Sequence, residues 1–329
     1  MRRRKSRRMI FAAVLTLSIV GATAYVGLAA LRTGADGEGF AGPSGLRDEP
    51  HVVFQNVRGH SGGNTYAHVA LAPLDEPSQR RVTTRLSCER VYFAASRGLC
   101  LVSRQGLLQT GYKATITGPS FKRRHEFRLT GIPSRARISP DGRYGAVTAF
   151  VTGHSYAEDN FSTQTVLIDM TRGKVLADLE KDFTVIRNGK QIEEIDFNFW
   201  GVTFTGTTGR FYATLKTGDE TYLLEGDVGA RLARVIHENV ECPSISPDDT
   251  RVAYKKWLGD RWRLHVLDLA TMQETPLAEK RSVDDQVEWL DNDHVLYGFS
   301  PDTWMVPADG GGAPRKFLSK ALSPAVVRR

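Results

Sequence analysis

The chain has 329 residues, of which 41% are hydrophobic and 25% are charged, so it can bury a sizeable core and does not have the composition of a disordered protein. Its formal net charge is +7, but six of the 44 Lys and Arg residues lie within residues 1–8, which leaves 38 against 37 Asp and Glu. A nucleic-acid-binding body normally carries its own basic excess. The composition therefore argues against nucleic acid as a partner.

The segment that follows this basic tail, residues 9–31, reads MIFAAVLTLSIVGATAYVGLAAL and contains no charged residue. A helix needs roughly 20 apolar residues to cross a bilayer core of about 30 Å. Because positive charge stays on the cytoplasmic side, we expect residues 1–8 to be a cytoplasmic tail and the rest of the chain to be exported. We interpret residues 9–31 as a transmembrane signal anchor. The alternative is a signal peptide cleaved near residues 22–24, which would release the exported body as a secreted protein.

Residues 32–47 are predicted to be a flexible linker, because residues 33–45 read TGADGEGFAGPSG. From His51 onward, short runs rich in Val, Ile, Tyr, Phe and Thr alternate with turn clusters. That alternation is typical of strands, and helical periodicity is scarce. We therefore expect residues 48–329 to form an extracytoplasmic all-β domain.

Two segments of this domain are repeats of each other. Residues 136–147 read ARISPDGRYGAV and residues 244–254 read SISPDDTRVAY. Each reads as a strand, a Ser-Pro-Asp turn and a second strand, since Pro presets φ and Asp bonds nearby backbone N–H groups. Weaker copies place turns near residues 48, 96, 205 and 290, mostly at intervals that suit four-stranded propeller blades. We predict a β-propeller of six such blades, with residues 323–328 supplying the inner strand of the first blade and closing the ring.

The repeats resemble those of a known family. Residues 245–269 read ISPDDTRVAYKKWLGDRWRLHVLDL and residues 306–316 read VPADGGGAPRK, and they resemble the repeat and the outer hairpin of TolB-type and related WD40-like propellers. The overall pattern is most similar to actinobacterial membrane-anchored TolB-like proteins, and the resemblance covers roughly residues 48–320. It implies a binding or scaffold module of the cell envelope. We see no separate N-terminal domain of the kind that classical TolB carries, so TolB's partner and import role are not carried over.

Motifs that suggest catalysis occur in the wrong context. Residues 59–63 match G-x-S-x-G, but a strand rather than a helix is predicted to follow them. Residues 37–42 match G-x-G-x-x-G, but they lie in the linker. The histidines show no metal-ligand spacing. We therefore predict no catalytic residue, no cofactor and no metal, with an unknown envelope protein or ligand as partner. The alternative is a propeller hydrolase that uses channel-mouth carboxylates or a metal.

Two groups of residues are candidates for binding. Charged residues precede or begin successive predicted inner strands, and in a propeller these positions border one mouth of the central channel, where ligand sites are common. They are Glu89, Arg135, Glu194, Asp196, Glu241 and Asp285. The insertion at residues 153–162 could form a recognition loop through Tyr156, Glu158, Asp159 and Phe161. A solvated rim and an ordinary surface loop are the respective alternatives.

The three cysteines, Cys88, Cys100 and Cys242, permit at most one internal disulfide, which an oxidising compartment would allow. Cys88 and Cys100 are the nearest pair. If they flank a hairpin turn near residues 96–97, however, the register places them several residues out of opposition, and a disulfide needs close Cα atoms. A disulfide between them and two buried thiols both stay open as interpretations.

Overall fold

The computed structural model of this protein describes residues 46–58, 67–105, 110–158 and 160–328. Within these ranges the strands form six sheets, which are the six blades of a propeller. Blade 1 contains β1 (His51–Asn56), β2 (His68–Pro73), β3 (Val82–Ser87) and the last strand of the chain, β26 (Ala321–Val327); blade 2 contains β4 (Arg90–Ala94), β5 (Arg97–Gln105), β6 (Thr110–Thr117) and β7 (Arg123–Leu129). Blade 3 contains β8 (Ile132–Ile138), β9 (Tyr144–Thr152), β10 (Ser162–Asp169) and β11 (Lys174–Asp178); blade 4 contains β12 (Thr184–Arg187), β13 (Lys190–Ile192), β14 (Asn198–Phe204), β15 (Arg210–Thr217), β16 (Glu220–Asp227) and β17 (Leu232–Glu238). Blade 5 contains β18 (Glu241–Ile245), β19 (Arg251–Trp257), β20 (Trp262–Asp268) and β21 (Glu274–Pro276); blade 6 contains β22 (Glu288–Trp289), β23 (His294–Phe299), β24 (Asp302–Pro307) and β25 (Arg315–Leu318).

The blades form a closed circle around a common axis. The innermost strand of each blade contacts the innermost strand of the next, in the order β26, β4, β8, β14, β18, β22 and back to β26. The circle closes in blade 1, where β26 pairs antiparallel with β1 and places Val327 opposite His51 and Ala325 opposite Val53. The predicted six blades and the predicted closure by the C-terminal segment are confirmed.

The Ser-Pro-Asp turns explain why two of the blades repeat so clearly. In blade 3 the Ser139 hydroxyl donates to Asp141 Oδ1 at 2.5 Å and accepts the Tyr144 backbone N–H at 2.9 Å. In blade 5 the Ser246 hydroxyl makes the same two contacts, to Asp248 at 2.5 Å and from the Arg251 N–H at 3.0 Å. The side chains thus satisfy backbone groups that the tight turn leaves without a strand partner.

Apolar side chains between neighbouring blades form the core. Phe199, Phe211 and Leu215 of blade 4, for example, are 1% exposed or less and pack in one cluster with Ala146 and Leu167 of blade 3. Each such side chain contributes about 1.5–3 kcal/mol by leaving water. One blade could not shield both faces of its sheet, so the ring is the smallest unit that buries them all.

Blade 4 departs from the predicted four strands. The extra residues that lengthen the interval between the third and fourth turns form the hairpin β12–β13, and β12 pairs parallel with β17, so the sheet has six strands. A one-turn helix, α1 (Leu179–Asp182), leads into this hairpin and is capped by the Asp178 side chain, which accepts the Glu180 backbone N–H.

The described chain begins with a 3₁₀ turn at Leu46–Asp48, and Leu46 is fully buried in a cluster with Val53 and Leu71. Leu46 thus packs against blade 1, although it precedes the predicted start of the domain at residue 48. No helix within the described ranges is long and apolar enough to cross a membrane. The predicted tail (1–8), anchor (9–31) and most of the linker lie outside those ranges.

The disulfide left open by the sequence is present. Cys88 and Cys100 are bonded, with their Cα atoms 5.4 Å apart, and Cys242 is a buried free thiol. The expected register offset is real, since Cys100 lies opposite Val91, three residues beyond Cys88. Cys88, however, precedes β4 instead of continuing it, and its N–H donates to the Ala67 carbonyl in blade 1. That bend in the chain brings the two cysteines together.

Candidate binding site

The central channel has two ends. The N-side mouth is the end at which the inner strands begin, and the C-side mouth is the end at which they finish. Because all six inner strands run in the same sense along the axis, residues at equivalent strand positions meet at the same mouth. The sequence-predicted channel residues precede or begin inner strands, so they are expected at the N-side mouth.

Four charged side chains at the N-side mouth form one cluster, here called the charged cluster: Arg135, Glu241, Lys255 and Asp284. Lys255 is its centre and is fully buried. Its Nζ lies 2.5 Å from Asp284 Oδ1 and 3.4 Å from Glu241 Oε2. Arg135 Nη2 approaches Asp284 Oδ1 at 3.6 Å. A buried lysine persists because its partners compensate for lost hydration.

Aromatic rings cover the charged cluster. Lys255 Nζ lies 3.8 Å from the ring centroid of Trp262 and 5.0 Å from that of Tyr156, which are cation–π distances. The Trp262 indole N–H donates to Glu241 Oε1 at 2.8 Å. Tyr156 stacks on Trp200 with centroids 4.8 Å apart, and its hydroxyl hydrogen-bonds the Ser134 hydroxyl at 2.6 Å. The rings therefore fix the lysine in one position and exclude water from it.

Irregularities in three neighbouring inner strands place these side chains. The register shifts between Pro133 and Arg135 in β8, after Trp200 in β14 and after Glu241 in β18. In β14 the shift includes Gly201, whose φ is +64°, and a Cβ there would lie 2.6 Å from the Cα of Cys242. Bulges re-aim side chains and bend strands, and here only a glycine allows blades 4 and 5 to approach so closely.

The environment of the charged cluster sets its protonation. Burial alone would raise the pKa of Asp284, but Lys255 and Arg135 more than offset this and the pKa is lowered. Burial opposes the charge on Lys255, yet the neighbouring carboxylates of Glu241 and Asp284 raise its pKa. Burial raises the pKa of the Cys242 thiol. These shifts favour a charged Asp284 beside Lys255 and a protonated Cys242 thiol.

The predicted channel residues do not all converge. Arg135 and Glu241 belong to the charged cluster. Asp285 lies beside it, lines a small cavity of about 290 Å³ together with Arg90, and accepts the Gly298 N–H at 2.8 Å. The Glu89 carboxylate instead accepts the N–H and hydroxyl of Ser103 at 2.9 and 2.8 Å.

Glu194 and Asp196 are also outside the cluster, contrary to the prediction. Glu194 is exposed, and Asp196 accepts the Thr217 hydroxyl and the Gly218 N–H, both at 2.6 Å. The reason is the additional hairpin, because β13 is the outermost strand of blade 4. The chain then returns from the outer edge to the inner strand over residues 193–197, which leaves both acids along the side of the blade.

The predicted recognition loop is folded inward. Tyr156 and Phe161 are each 8% exposed and pack against Phe150 and Trp200, so they are not projecting contact residues. Glu158 Oε1 lies 3.1 Å from His154 Nε2, within the loop itself. Asp159 lies outside the described residues. Burying an aromatic side chain lowers the free energy of the folded state, and the nearby rings of blades 3 and 4 provide packing partners for Tyr156 and Phe161.

The sequence analysis missed the C-side mouth. Here a cavity of about 400 Å³, which we call the C-side funnel, draws wall residues from all six blades. One from each blade is Ala94, Ile138, Phe204, Ser246, Trp289 and Val327. Wall residues cluster at the ends of inner strands, immediately before or within the repeat turns. That position was visible in the repeats, but the predicted site consisted of charged residues before the inner strands and included no residue after them.

The floor of the C-side funnel is a second buried ion pair. Arg137 Nη1 lies 2.7 Å from Glu288 Oε2, and both side chains are less than a tenth exposed. Arg137 Nη2 also donates to the Val287 carbonyl at 2.6 Å, and Glu288 Oε1 accepts the Val326 N–H at 3.0 Å. These contacts join blades 3, 6 and 1 across the axis and close the channel beneath the funnel.

Within the described residues, no group of three or more His, Cys, Asp or Glu side chains is placed to hold a metal ion.

Comparison with known proteins supports the fold. No protein-family model and no curated protein matches the sequence. Among solved structures, TolB from Acinetobacter baumannii is similar, with a TM-score of 0.57 at 15% identity, covering 85% of this chain and 67% of that one. A chain in the crystal structure of a nidogen/laminin complex has a TM-score of 0.54 at 11% identity, covering 84% of this chain and 98% of that one.

Proposed function

We propose that this chain is a membrane-anchored, extracytoplasmic propeller of the cell envelope that binds a protein partner and acts as a scaffold without catalysing a reaction. It has the fold of TolB and other WD40-like propellers, and at these identities the likeness extends to the fold alone. Its closer relationship to actinobacterial membrane-anchored TolB-like proteins stays a prediction.

The C-side funnel is the observation that carries this proposal. It is concave, every blade contributes to it, and the Arg137–Glu288 pair closes it from below. Loops presented by a rigid scaffold favour recognition, because the partner does not have to order them on binding. The N-side mouth, with Arg135, Glu241 and Asp285, is the second candidate surface, but its cluster charges already neutralise one another.

The proposed location at the membrane is inferred from residues 1–31 of the sequence. Six basic residues followed by 23 uncharged residues favour an anchor with its N-terminus in the cytoplasm and the propeller outside. The mass of the protein extracted from membranes tests this proposal. A mass that matches the intact N-terminus would support an anchor. The mass of a chain cleaved after residues 22–24 would instead indicate a secreted propeller.

A propeller hydrolase is the alternative, and one observation favours it. Glu241 and Asp284 converge on the same Lys255 ammonium group, so two carboxylates lie close together at a channel mouth. The lowered pKa of Asp284 weighs against it, because a glycosidase-type general acid needs a raised one. Hydrolysis lost in both Glu241→Gln and Asp284→Asn would establish this alternative.

Site-specific photo-crosslinking of the full-length chain in native membranes tests the scaffold proposal. A photoreactive residue replaces Asp249, which lines the C-side funnel, and in a matched control it replaces Val175, which is 51% exposed in β11 on the outer edge of blade 3. We expect a discrete protein adduct from position 249 and none from position 175. Equal labelling at both positions, or no adduct from either, would contradict binding at the funnel.

A further inference from the structure

A second cleft opens beside the N-side mouth, between blades 3, 4 and 5. Its volume is about 380 Å³, within the range of small-molecule sites. The wall includes Tyr156, Trp200, Lys216, Glu220, Trp257 and Trp262. It therefore combines four aromatic residues with charged ones, and it lies at the opposite end of the inner strands from the C-side funnel.

Several polar groups of this cleft lack a hydrogen-bond or ion-pair partner among the described residues, although the Lys216 ammonium group lies 5.2 Å from the ring centroid of Phe161. The Trp200 indole N–H makes no hydrogen bond although the side chain is 1% exposed. Among the described residues, neither the Lys216 ammonium group nor the carboxylates of Asp219 and Glu220 form an ion pair, and all three residues line the cleft. Buried donors are normally satisfied, so an unpaired N–H in the wall points to a missing acceptor.

The elements that carry these groups are held in place. Asp196 binds the turn between β15 and β16 through Thr217 and Gly218, and this turn presents Asp219 and Glu220. Asp196, predicted as a ligand-binding residue, thus positions a wall of the cleft.

Trp257 is fixed in a similar way on the other wall. Its backbone N–H donates to Asn239 Oδ1 at 3.1 Å, and the Asn239 amide donates back to the Trp257 carbonyl at 3.0 Å. Its ring packs edge-on against Trp262 with centroids 5.0 Å apart and remains 39% exposed. An exposed tryptophan with a fixed backbone is a preformed flat surface for a ligand.

The free groups define the chemistry of the ligand. It must offer an apolar face to Trp257, donors to Asp219 and Glu220, and acceptors to the Trp200 N–H and Lys216. A cation would suit the ring and the carboxylates but would meet the Lys216 charge, and an anion would meet two carboxylates. A hydroxyl group both donates and accepts. We propose that this cleft binds a neutral saccharide, whose C–H face stacks on Trp257 while its hydroxyls bond the polar groups.

This saccharide site goes beyond the scaffold function, since it uses a different surface and needs no protein partner. The full-length chain in detergent is titrated with cellobiose, N,N′-diacetylchitobiose and maltose, followed by intrinsic tryptophan fluorescence and calorimetry. Choline and acetate are the charged comparisons. We expect saturable binding of at least one neutral disaccharide and no saturable binding of either ion.

Two variants locate the binding. Trp257→Ala removes the stacking surface and Glu220→Gln removes a charged acceptor, and each is expected to weaken binding at least ~10-fold, which corresponds to the loss of about 1.4 kcal/mol. Met272→Ala, at a residue 42% exposed in the same blade, is the matched control and should bind as the parent does. The proposal is overturned if no disaccharide binds, if choline is preferred, or if binding survives both Trp257→Ala and Glu220→Gln.

Discussion

Replacing Lys255 with methionine tests whether the charged cluster stabilises the ring. The substitution keeps the length of the side chain but deletes a fully buried ammonium group. Glu241, which is 5% exposed, would then keep its bond from the Trp262 indole and lose its cation. Removing one partner of a buried pair costs about 3–5 kcal/mol. Because 38% of the Asp284 side chain is exposed, the loss of its ion pair with Lys255 adds little to the decrease in the free energy of unfolding.

The free energy of unfolding is measured for the full-length protein by denaturant titration with tryptophan fluorescence. We expect Lys255→Met to lower it by about 3–5 kcal/mol, which at roughly 2–4 °C per kcal/mol lowers Tm by ~10 °C. The matched control is Lys316→Met, because Lys316 pairs with Asp302 at 2.7 Å but is 46% exposed, and such pairs contribute about 0–1 kcal/mol.

The double variant Lys255→Met/Glu241→Gln should regain part of the loss, since the uncompensated carboxylate is then gone. The pH dependence gives a further check. The lowered pKa of Asp284 contributes stability that is present above its ordinary value of 3.8 and disappears as the pH falls through the folded value. Lys255→Met should reduce this loss of stability at acidic pH.

A decrease in the free energy of unfolding below ~1 kcal/mol for Lys255→Met, or one equal to that for Lys316→Met, would refute the reasoning.

Three further outcomes follow from other features. Burial raises the pKa of Glu180 to about 8, so the folded state holds a proton that the unfolded state releases. As the pH rises from ~4.5 to ~8, the free energy of unfolding should therefore fall by up to ~1.4 kcal/mol per pH unit. Glu180→Gln should flatten that slope when denaturation is measured as a function of pH. The Cys88–Cys100 disulfide has a sequence separation of 12, so replacing both cysteines with serine should cost about 3 kcal/mol, and a reductant should destabilise the parent but not the variant. Deleting residues 321–329 removes the strand paired with β1 and should abolish the cooperative thermal transition, whereas deleting residue 329 alone should not.

Repeats made the fold predictable. The Ser-Pro-Asp turns at residues 139 and 246 use side-chain contacts that are local in sequence, so their structural meaning can be read from a few residues. Closure by the C-terminal segment followed from counting strands per blade. The additional hairpin of blade 4 was visible as extra length, but its parallel pairing with β17 depends on tertiary contact and has no local signature.

The site was less predictable, because its side chains come from distant segments. Lys255 reads as an ordinary strand residue in YKKW. Its burial depends on the ring of Trp262, on the adjacent strand β20, and on that of Tyr156, which approaches from the distant insertion at residues 153–162. The disulfide depended on a bend before β4 that a regular hairpin register does not include. Of the residues predicted from their position relative to an inner strand, Arg135 and Glu241 lie in the charged cluster. Glu194 and Asp196 lie outside it, because an insertion changes the path of the chain there.

Joining β1 to β26 has a consequence for biosynthesis. His51 finds its partner Val327 only after the segment that ends at Val327 has been made, so a nascent chain that has not yet reached that segment lacks the strand that completes its first blade. Pairings between such distant positions form slowly, and until then an unpaired strand edge remains accessible to other chains. Residues 321–327 thus determine when the edge of the first blade becomes paired, and a chain that stops shortly before them keeps an unpaired strand edge on which other molecules can aggregate.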